Sequence, residues 1–179
     1  TIIDLKHENA AALHALFEWI DLMIPRLIAL FGDTTSLQDR TVGTGVVGEA
    51  LAKQYACGGY VGRASGRAFD ARKAIGYAPY PQLAFEIGAS KEGDVDARVW
   101  VRFDEVKASL QIVRQILNDA PEGPIIAAWA LPDDGTREGA ALVEGFRGDI
   151  FVWLRIRADG VVQRCHLRDP SWFQWPLLE

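Results

Sequence analysis

The apolar positions of this chain change their period as it proceeds. Leu13, Leu16, Ile20, Met23, Leu27 and Leu30 recur in steps of three and four, the spacing of one helical face. Gly32 closes that pattern as a C-terminal glycine does, and Pro25 inside it predicts a kink or a break. Residues 33–44 are polar and turn-rich. Val46–Ala56 predicts a short helix, CGGYVGRASG (57–66) a glycine-rich loop, FDARKAI (69–75) a helical turn and QLAFEIG (82–88) a short strand. The most regular seam follows: Val99, Phe103, Val106, Leu110, Val113 and Leu117 predict a helix over 96–117 that packs this seam into a core. Pro121 and Gly123 stop it.

Beyond residue 140 the period shortens. ALVEG (141–145), DIFVWLRIR (149–157) and VVQRCHLR (161–168) are rich in β-formers, and Asp159-Gly160 between the last two predicts a hairpin. The expected fold is therefore α+β: a mainly helical core with a long central helix, over residues 1–120, and a small antiparallel sheet over 140–168. One domain accommodates all 179 residues. The chain opens on Thr1 rather than Met and stops at Glu179 straight after WFQWP, so both ends are expected to be cuts in a longer polypeptide.

Composition narrows the functional classes. A formal charge of −5 gives no basic surface of the kind nucleic acid selects. The most apolar stretch, Leu13–Phe31, contains Glu18, Asp21, Pro25 and Arg26 and is not expected to span a bilayer. Cys57 and Cys165 are far apart and form no Cys-x-x-Cys, so the chain offers no local thiolate clamp for nickel, iron or a cluster. Free thiols fit such a pair about as well as one disulfide does.

One motif raises a competing function. Gly43, Gly45 and Gly48 spell a Gly-x-Gly-x-x-Gly, the fingerprint of a pyrophosphate-binding turn. That turn needs a buried strand directly before it, and the preceding GDTTSLQDRTV is polar. Asp70 stands at a tolerable distance for a ribose contact, but no alternating βαβ pattern surrounds it. The glycines are expected to serve turns and close packing, and a dinucleotide-binding module is the disfavoured alternative.

Several blocks in fixed order carry more. DRTVGTGVV, VGRASGRAFDARKAIGYAPY, EGDVDARVWVRFDEVKASLQIVRQIL, VEGFRGDI and RDPSWFQWPLLE resemble the large subunit of membrane-bound nickel–iron hydrogenases of the formate-hydrogenlyase type. That family is similar in turn to the quinone-side D-type subunit of NADH-quinone oxidoreductase, complex I. The resemblance spans nearly all of 39–179. It implies one subunit of an oxidoreductase, docked on an iron–sulfur small subunit, peripheral to the membrane on its cytoplasmic face. Electrons would pass between the cluster and a quinone, or protons and H2. The family's two Cys-x-x-Cys pairs and its quinone-side His and Tyr would all lie outside residues 1–179, so the chain alone is expected to be inactive and to hold no cofactor. A structural or coupling subunit without a metal site is the alternative from another class.

One functional position carries over by resemblance. The Arg of the family's EAPRG block, beside the metal site, matches Arg147 in VEGFRGD, with Gly145-Phe146 in place of Ala-Pro. A guanidinium is always charged and can stand beside a metal without ligating it. The purely structural alternative is an ion pair with Glu144 or Asp149. His166 is expected on a solvated or partner-facing strand stripe, and His7 and His14 on a terminal helix without a ligand role. Arg63, Arg67 and Arg72 are expected to form a solvated basic cluster, and Trp172 and Trp175 to pack on missing segments or a partner.

Overall fold

The structure, a computed structural model, describes residues 7–120, 123 and 135–178. It is α+β, as the periodicities predict. The helices α1 (His7–Asp33), α2 (Thr35–Thr41), α3 (Glu49–Gln54), α4 (Gly59–Ala64), α5 (Ala71–Ala74) and α6 (Val95–Asn118) precede the strands β1 (Arg137–Gly145), β2 (Gly148–Ile156) and β3 (Val162–Arg168). The strands form an antiparallel meander in the order β1-β2-β3.

Helix α1 runs through Pro25 without a break. Its apolar face is rotated from the predicted one: Phe17 is buried and Leu13, Ile20, Ile24, Ile28 and Phe31 are half-buried, whereas Leu16, Leu27 and Leu30 are exposed. Phe31 meets α6 through edge-on contacts with Trp100 and Phe103, both at 5.9 Å between centroids. The polar stretch after Gly32 is helical rather than turn-like, because Thr34 turns the chain and its carbonyl accepts the amides of Leu37 and Gln38 that start α2. Gln38 reaches back to cap the carbonyl of Phe31 at 2.8 Å.

The long helix forms where predicted, with two packed faces rather than one. Ala97, Val101, Ala108 and Ile112 are the buried positions, and Ala97 and Val101 pack on Ala64 of α4. The predicted seam is half-buried along its length, with Val113 exposed at 36%. The predicted strand at 82–88 is not one. Gln115 of α6 takes the place of a strand partner, donating to the Ala84 carbonyl at 2.7 Å and accepting from its amide at 2.8 Å.

The glycine motif stitches the loop after α2 to the start of α6. Asp94 caps α6 by accepting from Ala97 N–H at 2.7 Å, and its other oxygen accepts from Gly43 N–H at 2.8 Å. Val95 donates to the carbonyl of Thr44, and Val47 to that of Gly93. What precedes Gly43 is α2, so the strand–turn–helix arrangement of a dinucleotide site is not formed there. The stretch 57–66 is likewise not all loop: residues from Gly59 onward form α4, closed by Gly66 at φ +85°.

Arg63 of α4 is 1% exposed and surrounded by carboxylates. Its Nη1 donates to Glu144 at 2.9 Å and Asp70 at 3.3 Å, and its Nη2 to Glu105. Arg72 closes on Asp70 at 2.6 Å and 2.9 Å, and Arg102 approaches Glu105 at 3.2 Å. Glu144 also accepts from Ala71 N–H at 2.8 Å, and its own amide donates to the Tyr77 hydroxyl at 3.1 Å. Three guanidinium groups thus meet three carboxylates, tying α4, α5, α6 and β1 together. Burial raises the pKa of Glu144 against the bonds from Ala71 and Arg63. Burial pushes Asp70 and Asp94 up too. The bonds from Arg72 outweigh it for Asp70, those from Ala97 and Gly43 outweigh it for Asp94, and both carboxyls are held low.

These shifts set the pH dependence of stability. Asp70 and Asp94, held below their ordinary 3.8, contribute stability that is present above that value and lost as pH falls through their folded pKa. Glu144, held above its ordinary 4.5, contributes stability that is present below 4.5 and lost as pH rises through its folded pKa. Urea denaturation from neutral pH downward should show a mildly acidic optimum and then a steep loss. Asp94→Asn, left with one acceptor for two donors, should cost about 1 kcal/mol at neutral pH and flatten the acid limb. Leu110→Ala, at a half-buried position, should cost about 2 kcal/mol, the low end for buried leucines, by the same measurement.

Candidate functional site

Gly145 pairs with Gly148, so Phe146 and Arg147 form the two-residue turn between β1 and β2. This turn rests on the start of α4 with no side chains between the backbones. A Cβ on Gly59, which has φ +60°, would stand 2.2 Å from the carbonyl carbon of Arg147, and one on Gly58 would stand 3.1 Å from Gly148 Cα. Gln174 fixes the turn from the other side, donating to the Arg147 carbonyl at 2.7 Å. The backbone of Arg147 is therefore held from two directions while its side chain is exposed.

Neither carboxylate in the structural alternative pairs with Arg147. Glu144 is taken by Arg63, and Asp149 by Arg168 across the β2–β3 ladder. The Arg147 guanidinium instead lies over the Phe146 ring, with Cζ 4.7 Å from its centroid. Arg102 lies over the same ring at 4.9 Å and over Tyr60 at 5.2 Å, and the two rings are parallel within 2°. The carboxyl of Asp169 is held low by the Ser171 hydroxyl and amide, with the charge of Arg147 adding to the effect.

Arg147 lines a cavity of about 640 Å³ together with Arg98, Tyr60, Val47, Trp175 and Leu177. Arg98 is engaged by the carbonyls of Gly45 and Gly93 at 2.9 Å and 3.0 Å. Among the described residues Arg147 is in no ion pair, so its charge is available to a ligand. An aromatic and aliphatic wall with one such guanidinium can hold a flat ring and stabilise negative charge on an oxygen at its edge.

The residues present do not fit a nickel–iron ligand set. Cys57 lies buried before the Gly58–Gly59 contact, and burial pushes its thiol up to about 11. Cys165 is exposed on β3, and among the described residues no group of His, Cys, Asp and Glu could hold a metal ion. His166 is exposed beside the Phe151 ring, and His14 is exposed on α1 near Phe17. His7 opens α1, and its side chain lies outside the described residues.

The predicted solvated cluster of Arg63, Arg67 and Arg72 is not one. Arg63 is buried, Arg72 is bound to Asp70, and Arg67 donates to the Cys57 carbonyl at 3.0 Å. Sequence reading missed this network and Glu144 with it, because Arg63 and Glu144 are 81 positions apart. The one local signal was Asp70 ahead of Arg72, a helix-capping spacing. Trp172 and Trp175 are exposed, as a face waiting for further protein would leave them.

Residues 2–134 match the family described as respiratory-chain NADH dehydrogenase, 49 kDa subunit. The carbon monoxide-induced hydrogenase of Rhodospirillum rubrum is 36% identical over 152 residues, which is 85% of this chain and 42% of that protein. The C/D subunit of the NADH-quinone oxidoreductase of Bacteroides thetaiotaomicron is 37% identical over 155 residues, 86% of this chain and 28% of that protein. The D 2 subunit of the Opitutus terrae enzyme is 35% identical over 172 residues, 90% of this chain and 42% of that protein. The chain spans less than half the length of each of these relatives. Among the described residues no helix is long and apolar enough to cross a membrane. On the extent of these matches and the order of its blocks, the chain belongs to the family of the respiratory-chain NADH dehydrogenase 49 kDa subunit, whose relatives include a hydrogenase.

Proposed function

We propose that this chain forms part of the large subunit of a membrane-associated oxidoreductase complex, docked on an iron–sulfur partner subunit, where electrons pass to a quinone at the Arg147 cavity. The observation that carries the reading is Arg147 itself: a backbone clamped by Gly59 and Gln174, and a guanidinium held over Phe146 at the rim of a cavity of about 640 Å³. That volume suits a ring-sized ligand. The cluster is a partner's contribution and supplies the electrons. Arg147 stabilises the negative charge that develops on the reduced ring's oxygen, and Trp175, Leu177 and Val47 supply apolar surface beside it. A second reading, with protons and H2 as the acceptor couple, is favoured by the 36% identity to a carbon monoxide-induced hydrogenase. The described residues do not fit a nickel–iron centre. The complex would sit peripherally on the inner face of the membrane, and the exposed Trp172 and Trp175 are available to its neighbouring protein surfaces.

Arg147→Lys keeps the charge and loses the planar fork. In the assembled complex it should lower turnover at least about tenfold, near 1.4 kcal/mol of transition-state stabilisation, with the stoichiometry of the subunits unchanged. Steady-state kinetics with a short-chain quinone and with H2 separates the two acceptors. Turnover intact with both would contradict a role for Arg147.

A further inference from the structure

Glu144 lies on β1, three residues before Arg147 of the turn, and it has no part in the electron transfer proposed at the cavity. Both of its carboxylate oxygens are occupied, one by Arg63 Nη1 at 2.9 Å and the other by Ala71 N–H at 2.8 Å. Its amide is held by the Tyr77 hydroxyl. The turn that follows begins and ends on Gly145 and Gly148, residues that give a hairpin little stiffness of their own. Its place in the molecule is therefore set by outside anchors: Glu144 ahead of it, Gly58–Gly59 beneath it and Gln174 at its carbonyl. Glu144 is the anchor that connects the turn to the buried arginine cluster.

We propose that Glu144 is a positioning residue for Arg147, its carboxylate passing the rigidity of the Arg63 cluster to the turn that carries the Arg147 guanidinium. This rests on the functional reading of Arg147. The charged and titratable groups facing Glu144 are Arg63 from α4, Asp70 and Arg72 from α5, Glu105 beyond Arg63 from α6, and Tyr77 from the segment after α5. Without the Glu144 carboxylate, Arg63 is left to Asp70 and Glu105. The turn then keeps its seat on Gly59 and loses its tether along β1.

The test is Glu144→Gln in the assembled complex, read by hydrogen exchange and by turnover. Exchange at the amides of 145–149 should rise at least about tenfold, while the amides of α6 keep their protection. Turnover should fall about tenfold, because a misplaced guanidinium stabilises the developing charge less well. Adding Arg147→Lys to Glu144→Gln should cost much less than Arg147→Lys costs alone, since a displaced guanidinium has little left to lose. Glu144→Asp, which keeps the charge with a shorter reach, should recover part of the exchange protection and of the turnover. It also serves as the probe if the Gln variant does not assemble. Unchanged exchange at 145–149 overturns the proposal even where Arg147→Lys is damaging. If Arg147→Lys is harmless and the turn loosens in Glu144→Gln, the functional reading of Arg147 fails while the hold of Glu144 on the turn stands.

Discussion

The fold around β1 depends on one buried charge. Arg63 is almost wholly removed from water, and desolvating a guanidinium costs several kcal/mol unless carboxylates surround it. The chain supplies them from three directions: Asp70 just before α5, Glu105 from the middle of α6, and Glu144 from the end of β1. Each must be in place for the others to be tolerable. Arg72 and Arg102 then balance the excess negative charge. Such a cluster adds little net stability, since an apolar core of equal volume would serve as well. It is intolerant of misplacement, and that intolerance fixes α4, α5, α6 and β1 in one mutual arrangement.

From that arrangement the position of Arg147 follows. β1 is pinned at Glu144, and three residues later its hairpin turn comes down on a surface with no side chains. Gly58 and Gly59 are required there because a methyl on Gly59 would overlap the Arg147 carbonyl group, at a backbone conformation that side chains already disfavour. Gln174 closes the seat from above. The Gly145-Phe146 pair, which departs from the family's Ala-Pro, gives up proline's local stiffness and adds an aromatic face on which Arg102 and Arg147 both lie. The position of the arginine is thus held by long-range contacts.

Periodicity made the outline of the fold legible. The α6 boundaries and the three strands came directly from apolar spacing, because those elements bury or pair their residues regularly. The rotated face of α1 was not legible, since Leu16, Leu27 and Leu30 are as apolar as the residues that are buried and only tertiary contact separates them. The stretch 82–88 has strand-like composition, but Gln115 satisfies its backbone in place of a neighbouring strand. In CGGYVGRASG the glycines pointed to a loop, although two of them serve a backbone contact and the rest of the stretch is helical. Arg147 was singled out by the resemblance of its block, and the contacts that seat its backbone were not legible. The Arg63 cluster was not, because opposite charges 81 positions apart leave no pattern in the sequence.

Arg63 and the end of β1 depend on each other through Glu144, and a double-mutant cycle on stability tests this most directly. Arg63→Met alone removes the cation and leaves buried carboxylates facing one another, an expected loss of about 3–5 kcal/mol. Glu144→Leu alone should also be costly. The pair together restores charge balance, so the double variant should be more stable than Arg63→Met, with a coupling energy of about 1–3 kcal/mol. Additive losses would contradict that dependence and leave the cluster as independent contacts.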